Sequence, residues 1–259
     1  MKTVLTIAGS DCSGGAGIQA DIKTITVHRM FATSVITALT AQNTTGITGV
    51  YEVSPQFVAD QFTTLCSDIY PDAVKIGMVY NKAIILVLAE KLEEFKLSNV
   101  VLDPVMISTS GKKLLNEDAI HELLHRLIPY ASVITPNLPE AERMSGIFIH
   151  NKDDMVKAAK IIAHDYPGAI LIKGGHLTDS SDDLLYDKGE CYWFKQDHID
   201  NPNTHGTGCT LSSAIACNLA EGKDIRSSIA SAKEYITGAL MANLDLGKGN
   251  GPLKHCWNI

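Results

Sequence analysis

The sequence predicts an α/β fold, a three-layer αβα sandwich around a central, mostly parallel sheet. Three observations lead there. Short β-branched runs alternate with amphipathic helical stretches almost from end to end, the pattern of a parallel sheet covered by helices on both faces. The strand-like runs are nearly continuously apolar, as strands buried on both faces should be. Residues of unusual chemistry follow those runs one after another, and open parallel sheets bind ligands outside the carboxyl ends of their strands.

In chain order the strand-like runs are Val4–Ala8, Ser34–Leu39, Ala73–Ile76, Val100–Leu102, Val133–Thr135 and Ala169–Ile172. The helical stretches have a different period. Ser54-Pro55 supplies an N-cap and a proline at the first helical position, and Val58, Phe62, Leu65 and Ile69 then recur at three- and four-residue steps. After Asn116, a single stripe is formed by Ile120, Leu123, Leu124, Leu127 and Ile128. Leu184–Tyr186 and Cys191–Phe194, separated by Asp187–Glu190, read as a hairpin at the sheet edge. Ile225, Ile229, Ala232, Ile236 and Leu240 mark the last long helix. No linker, repeat or low-complexity segment interrupts the alternation, so residues 1–259 read as one domain.

Composition narrows the function classes. A net charge of -7, with no dense Lys/Arg cluster, argues against a nucleic-acid partner. The six cysteines form no Cys-x-x-Cys pair and no zinc spacing with histidine, so they read as reduced thiols of a cytoplasmic protein. The apolar run Val4–Ala8 is too short for a signal-peptide core, and no span approaches membrane length.

The segments after the strand-like runs are Gly9 to Gly17, Ala41 to Thr44, Gly77-Met78, Asp103 to Met106, Pro136 to Glu140 and Lys173 to His176. Six such ends predict one long crevice. Thr204 to Thr210 (Thr-His-Gly-Thr-Gly-Cys-Thr) leads into a helical stripe of Leu211, Ala214, Ile215 and Leu219. Glycines there let backbone N–H groups face an anion, and the helix dipole favours negative charge, which suits a migrating phosphoryl group. The loop is not a Walker A motif, because no Gly-Lys-Ser/Thr follows. Cys209 at that helix start is expected to have a lowered pKa, and either accepts a proton, orients a hydroxyl or simply packs. The opening glycines do not meet Gly-x-Gly-x-x-Gly, which leaves a dinucleotide site poorly supported. Asp103, Asn137 and Glu140 at adjacent strand ends can hold a hydrated magnesium ion beside phosphate oxygens. Asn137 and Glu140 also fit a helix cap and its partner, with Pro139 as a complication. Lys173 at a strand end either pairs with phosphate or is a solvated charge.

Taken together, Thr6 to Asp11 with Ser13 to Asp21, Val35 to Leu39, Ala41 to Thr44, Lys75 to Met78, Asp103 to Met106, Thr135 to Ala141, Lys173 to His176 and Asn203 to Thr210 resemble the hydroxymethylpyrimidine/phosphomethylpyrimidine kinases of thiamine biosynthesis. The match runs over essentially the whole chain. The resemblance implies a ribokinase-like fold, ATP and magnesium, a homodimer, and two successive phosphorylations: first of the pyrimidine alcohol, then of its monophosphate. It implies that Gly9, Asp21, Gln42 and Met78 line the pyrimidine site. Asp103, Asn137 and Glu140 would serve magnesium and ATP, Lys173 would reach phosphate, and Gly206, Thr207, Gly208 and Cys209 would form the anion hole. Many ribokinase-like sugar kinases carry a general-base Asp where Cys209 stands. Pyridoxal kinases on the same frame are the nearest rival. They tend to lack the glutamine at position 42, and some carry a cysteine in the flap, which here reads Ile107 to Gly111 without one. A silent pyrimidine-binding protein is disfavoured, because Asp103, Glu140, Lys173 and Cys209 are all present.

Overall fold

The computed structural model describes residues 1–106, 115–175, 182–195 and 199–259. Its nine strands are β1 (Thr3–Asp11), β2 (Phe31–Asn43), β3 (Gly46–Glu52), β4 (Ala73–Ile76), β5 (Val100–Leu102), β6 (Val133–Ile134), β7 (Ala169–Ile172), β8 (Asp183–Asp187) and β9 (Glu190–Phe194). They form one sheet in the order β3-β2-β1-β4-β5-β6-β7-β8-β9. The run from β2 to β7 is parallel, while β3, β8 and β9 pair antiparallel at the two ends. All six expected strands are present. The expected hairpin is there too, one residue longer at each side of its turn, with Lys188 and Gly189 at positive φ.

Helices cover both faces: α1 (Gly17–Val27), α2 (Pro55–Cys66), α3 (Lys82–Phe95), α4 (Glu117–Glu122), α5 (Leu138–Ser145), α6 (Lys152–Asp165), α7 (Thr207–Ala220) and α8 (Ile225–Met241). Ser54 caps α2 and Pro55 opens it, as expected, but the helix stops at Cys66. Cys66 takes the core position after Phe62, and Ile69 lies beyond the helix, half-buried. The stripe after Asn116 is buried at Ile120, Leu123, Leu127 and Ile128, with α4 widening into a π turn over Leu123–Leu127. β3 was not expected: two glycines and a largely exposed surface hide its period.

The pleat of the sheet decides what faces the site. Leu5, Ile7, Val74, Ile76, Val100, Leu102, Ile134, Ile170 and Ile172 enter the core against α2 to α6. Val4, Ala73, Val101, Val133, Ala169 and Leu171 enter the core against α1, α7 and α8. Side chains alternate along a strand. The same row therefore carries Thr6, Lys75, Asp103, Thr135 and Lys173 toward the helix whose first turn holds Cys209.

Candidate active site

The sequence-predicted residues collect along the carboxyl edge of the parallel strands. The chain leaves β1 toward β2 on one side and reaches β4 on the other, so β1 and β4 flank a topological switch point. Gly9 and Met78 meet there: a Cβ on Gly9 would come within 2.6 Å of Met78 Cε. Gln42 stands at a register shift between β2 and β3, a bulge that sets the direction of its side chain. Its Nε2 lies 3.1 Å from His205 Nε2, and its Oε1 lies 3.2 Å from Thr40 Oγ1.

Asp21, expected to line the same wing, is sealed beneath it with no exposed surface. Its carboxylate takes Lys75 Nζ at 2.9 and 2.8 Å, Thr6 Oγ1 at 2.6 Å and Ser213 Oγ at 2.8 Å. These donors occupy the carboxylate, so direct contact with a ligand in the crevice is excluded in this conformation. Lys75 is equally buried. Burial pulls its pKa down, but Asp21, helped by Cys209 and Asp103, more than reverses this, so the ammonium stays charged.

The second wing lies at the ends of β5, β6 and β7. Lys173 Nζ contacts Asp103 Oδ1 at 2.8 Å, and Thr135 Oγ1 donates to the same oxygen at 3.1 Å. Asn137 and Glu140 form a reciprocal capping box on α5. Asn137 Oδ1 accepts from Glu140 N at 2.9 Å, and Glu140 Oε2 accepts from Asn137 N at 2.8 Å. Pro139 does not obstruct this, because a first-turn residue needs no N–H. Glu140 also accepts from Met106 N at 3.4 Å. Burial pushes its pKa up to about 7; Lys173 opposes this and Asp103 adds to it. Buried Asp21 and Asp103 each pair with a lysine, whereas buried Glu140 has no ion pair of its own among the described residues.

The loop before α7 bridges the wings. Gly206 has φ +85, and a Cβ there would run into Gly15 O, so the loop from β1 and the loop before α7 interlock. A Cβ on Gly208 would lie 3.0 Å from Asp103 Oδ2 and 3.4 Å from Lys173 Nζ. No side chain caps α7. Thr207 N is already bonded to Thr204 O at 3.2 Å. Cys209, half-buried, corrects one expectation. Burial raises its pKa, the attraction of Lys75 does not offset that, and Asp21 and Asp103 add to the rise. The helix start alone therefore does not make it a thiolate.

Sequence reasoning missed Lys75, Asp11 and His205. A lysine inside the wholly buried strand Ala-Val-Lys-Ile was the available signal, since a buried charge needs a partner. Asp11 Oδ2 meets His205 Nε2 at 2.9 Å, and its two oxygens also accept from Ser13, Gly15 and Ala16. Burial pushes the Asp11 pKa up, but these bonds outweigh it and hold it down at about 2. The flap Ile107 to Gly111 and His176 lie outside the described residues.

The family model described as phosphomethylpyrimidine kinase matches residues 11–254. The hydroxymethylpyrimidine/phosphomethylpyrimidine kinase of Streptomyces coelicolor is 43% identical over 256 residues, covering 99% of this chain and 95% of that one. The thiamine biosynthesis bifunctional protein ThiED of Geobacter sulfurreducens is 47% identical over 254 residues, which is 98% of this chain. The chain spans about half of that protein's length (52%). Among solved structures, the phosphomethylpyrimidine kinase of Clostridium difficile superposes with TM-score 0.84 at 45% identity, over 92% of this chain and 98% of that one. The pyridoxal kinase of Staphylococcus aureus in complex with AMP-PCP and pyridoxal gives TM-score 0.91 at 35% identity, over 99% and 94%.

Proposed function

Because the chain belongs to the phosphomethylpyrimidine kinase family, we propose that this crevice transfers the terminal phosphoryl group of ATP to 4-amino-5-hydroxymethyl-2-methylpyrimidine. The same site then phosphorylates the monophosphate to the diphosphate, in thiamine biosynthesis. The fold is ribokinase-like. One observation carries the assignment to the site: the loop from His205 to Cys209 touches Gln42 on one wing and the Asp103–Lys173 pair on the other. A hydroxyl held at the first wing and a phosphate held at the second would meet at the start of α7.

The residues then divide the work. Gly9 and Met78 form an apolar bed for the ring, and Gln42 reads its polar edge. Asp21 acts from below, holding Lys75 and, through Ser213, the first turns of α7. The Gly208 and Cys209 amides, with Gly206 and Thr207 shaping the turn, receive the transferring phosphoryl group. Lys173 meets the phosphate chain, and Asn137 faces the ATP side. Phosphoryl transfer needs mostly positioning and charge stabilisation, which this arrangement supplies. Cys209 receives the hydroxyl proton.

Magnesium fits the second wing. Glu140 is buried with its pKa raised to about 7, a carboxylate that a nearby cation would keep ionised. Among the described residues no group of three or more His, Cys, Asp or Glu side chains gathers. Asp103 and Glu140 would supply only part of the shell, with phosphate and water completing it, as magnesium prefers. Bound there, the ion would neutralise developing phosphate charge. A cytoplasmic setting agrees with the free cysteines, and no helix among the described residues is long and apolar enough to cross a membrane. For a homodimer, the exposed register partners Leu39 and Tyr51 offer an apolar surface to cover.

The similarity to a pyridoxal kinase favours one second reading, phosphorylation of pyridoxal on the same frame. Phosphorus NMR of wild-type reactions separates the two. The aminopyrimidine alcohol with ATP is expected to give the monophosphate and then the diphosphate, with both steps stopped by EDTA and restored by magnesium. Phosphorylation of pyridoxal alone would overturn the assignment.

A further inference from the structure

His205 sits between the carboxylate that ties down the loop after β1 and the amide that faces the ring site. Its Nε2 is 2.9 Å from Asp11 Oδ2 and 3.1 Å from the Gln42 side-chain amide. Asp11 is ionised and can only accept, so the proton must be on His205 Nε2. With Gln42 Nε2 toward His205, two donors would face each other. At the other end of the amide, Thr40 Oγ1 donates to Ser10 O at 2.9 Å and lies 3.2 Å from Gln42 Oε1. Turning the amide through half a rotation puts its oxygen toward His205, where it shares the Nε2 proton with Asp11, and its nitrogen toward Thr40 Oγ1, whose own proton goes to Ser10 O. No donor then faces a donor. Oxygen and nitrogen of a side-chain amide are told apart by such bonding logic.

We propose that His205 is a positioning residue for substrate recognition: its Nε2–H, held by Asp11, fixes which end of the Gln42 amide faces which partner. The inference rests on the aminopyrimidine reading above. In the fixed orientation Gln42 keeps one N–H and one oxygen lone pair for a ligand. A ring nitrogen acceptor beside an exocyclic amino donor matches that pair. Without His205 the amide samples both orientations, and binding must select one, which weakens recognition. The ring also packs closely on the loop after β1, since a Cβ on Gly15 would collide with it.

Three measurements test this. Long-range proton–nitrogen NMR of the histidine rings, with His205 assigned by comparison with His205→Phe, is expected to show a proton on Nε2. A bare Nε2 would overturn the proposal without touching the functional assignment. In kinetics, His205→Phe is expected to raise KM for the aminopyrimidine about twofold or more, because an amide shared between two orientations is competent only part of the time. KM for ATP should stay near wild type, and kcat/KM for pyridoxal should fall less. The His205→Phe/Gln42→Val double variant should be no worse than Gln42→Val alone, because His205 acts through that amide. Independent, multiplying losses, or an unchanged aminopyrimidine KM, would overturn it. If His205→Phe does not fold, the tautomer of wild type decides, with assignment through His205→Gln. Failure of wild type to phosphorylate any aminopyrimidine would instead sink the functional reading and this inference with it.

Discussion

Cys209→Ala is expected to lower kcat by about 10²–10⁴-fold, the usual worth of a positioned proton acceptor, while the protein stays folded. The thiol stands in the first turn of α7, between the sealed Lys75–Asp21 pair and the Asp103–Lys173 pair. Its backbone amide survives the substitution, so part of the affinity for phosphate should remain. The direction of its pKa adds a pH signature. A proton acceptor must be deprotonated, and burial raises this thiol above its ordinary value, so only a small thiolate fraction exists near neutrality. Wild-type kcat should therefore climb with pH, about tenfold per unit, until the thiol has ionised. That climb should vanish in Cys209→Ala. Near-normal turnover in the variant, or the same climb in both proteins, would assign the proton to another group.

Lys75→Met is expected to cost stability on a scale few surface substitutions reach. Removing one partner of a buried ion pair leaves an uncompensated charge and typically costs about 3–5 kcal/mol. Here Asp21 would be left with only the hydroxyls of Thr6 and Ser213 in a site closed to water. Neutralising both partners in Lys75→Met/Asp21→Asn should recover a large part of the loss, because the amide oxygen still accepts from Ser213 or Thr6. Urea unfolding of the two variants measures this. Equal stability of Lys75→Met and wild type would mean that the pair is not the anchor described. Activity should fall with stability in the single variant, since Ser213 lies one turn beyond Cys209 and carries the strain into the phosphate loop.

Much of this arrangement was legible along the chain. The six expected apolar runs, each followed by unusual residues, all fall on parallel strands, although β2 extends well beyond Ser34–Leu39 at both ends. β3 was not expected, because it is half in solvent and interrupted by glycines. The stripe through Ile69 overran α2, since helical period continues in a sequence after the helix itself has stopped. For the candidate site, position after a strand pointed to residues that the fold gathers along one edge, but not to what each one touches. Asp21 and Lys75 are 54 residues apart, and His205 and Asp11 are 194 apart. Such pairings depend on which helix covers which pleat row. The Cys209 pKa was misjudged for a related reason: the dipole of its own helix is local and readable, whereas burial and two distant carboxylates are not. Asn137 and Glu140 show the converse case, a capping box that four consecutive residues already contained.

The reading of Gln42 bears most directly on what the enzyme is for. An aminopyrimidine presents a ring acceptor beside an amino donor, and pyridoxal lacks that adjacent pair. Gln42→Val removes the amide and leaves those ligand atoms unpaired, at about 1–3 kcal/mol each, or about 5–150-fold per group. Met78, in the proposed apolar bed, would touch either ring alike and should discriminate little. The decisive quantity is the ratio of kcat/KM for the hydroxymethylpyrimidine to that for pyridoxal, measured in wild type and in Gln42→Val. A ratio well above one in wild type that collapses in Gln42→Val, with pyridoxal turnover spared or raised, is the expected result; a wild type that already prefers pyridoxal would contradict the assignment.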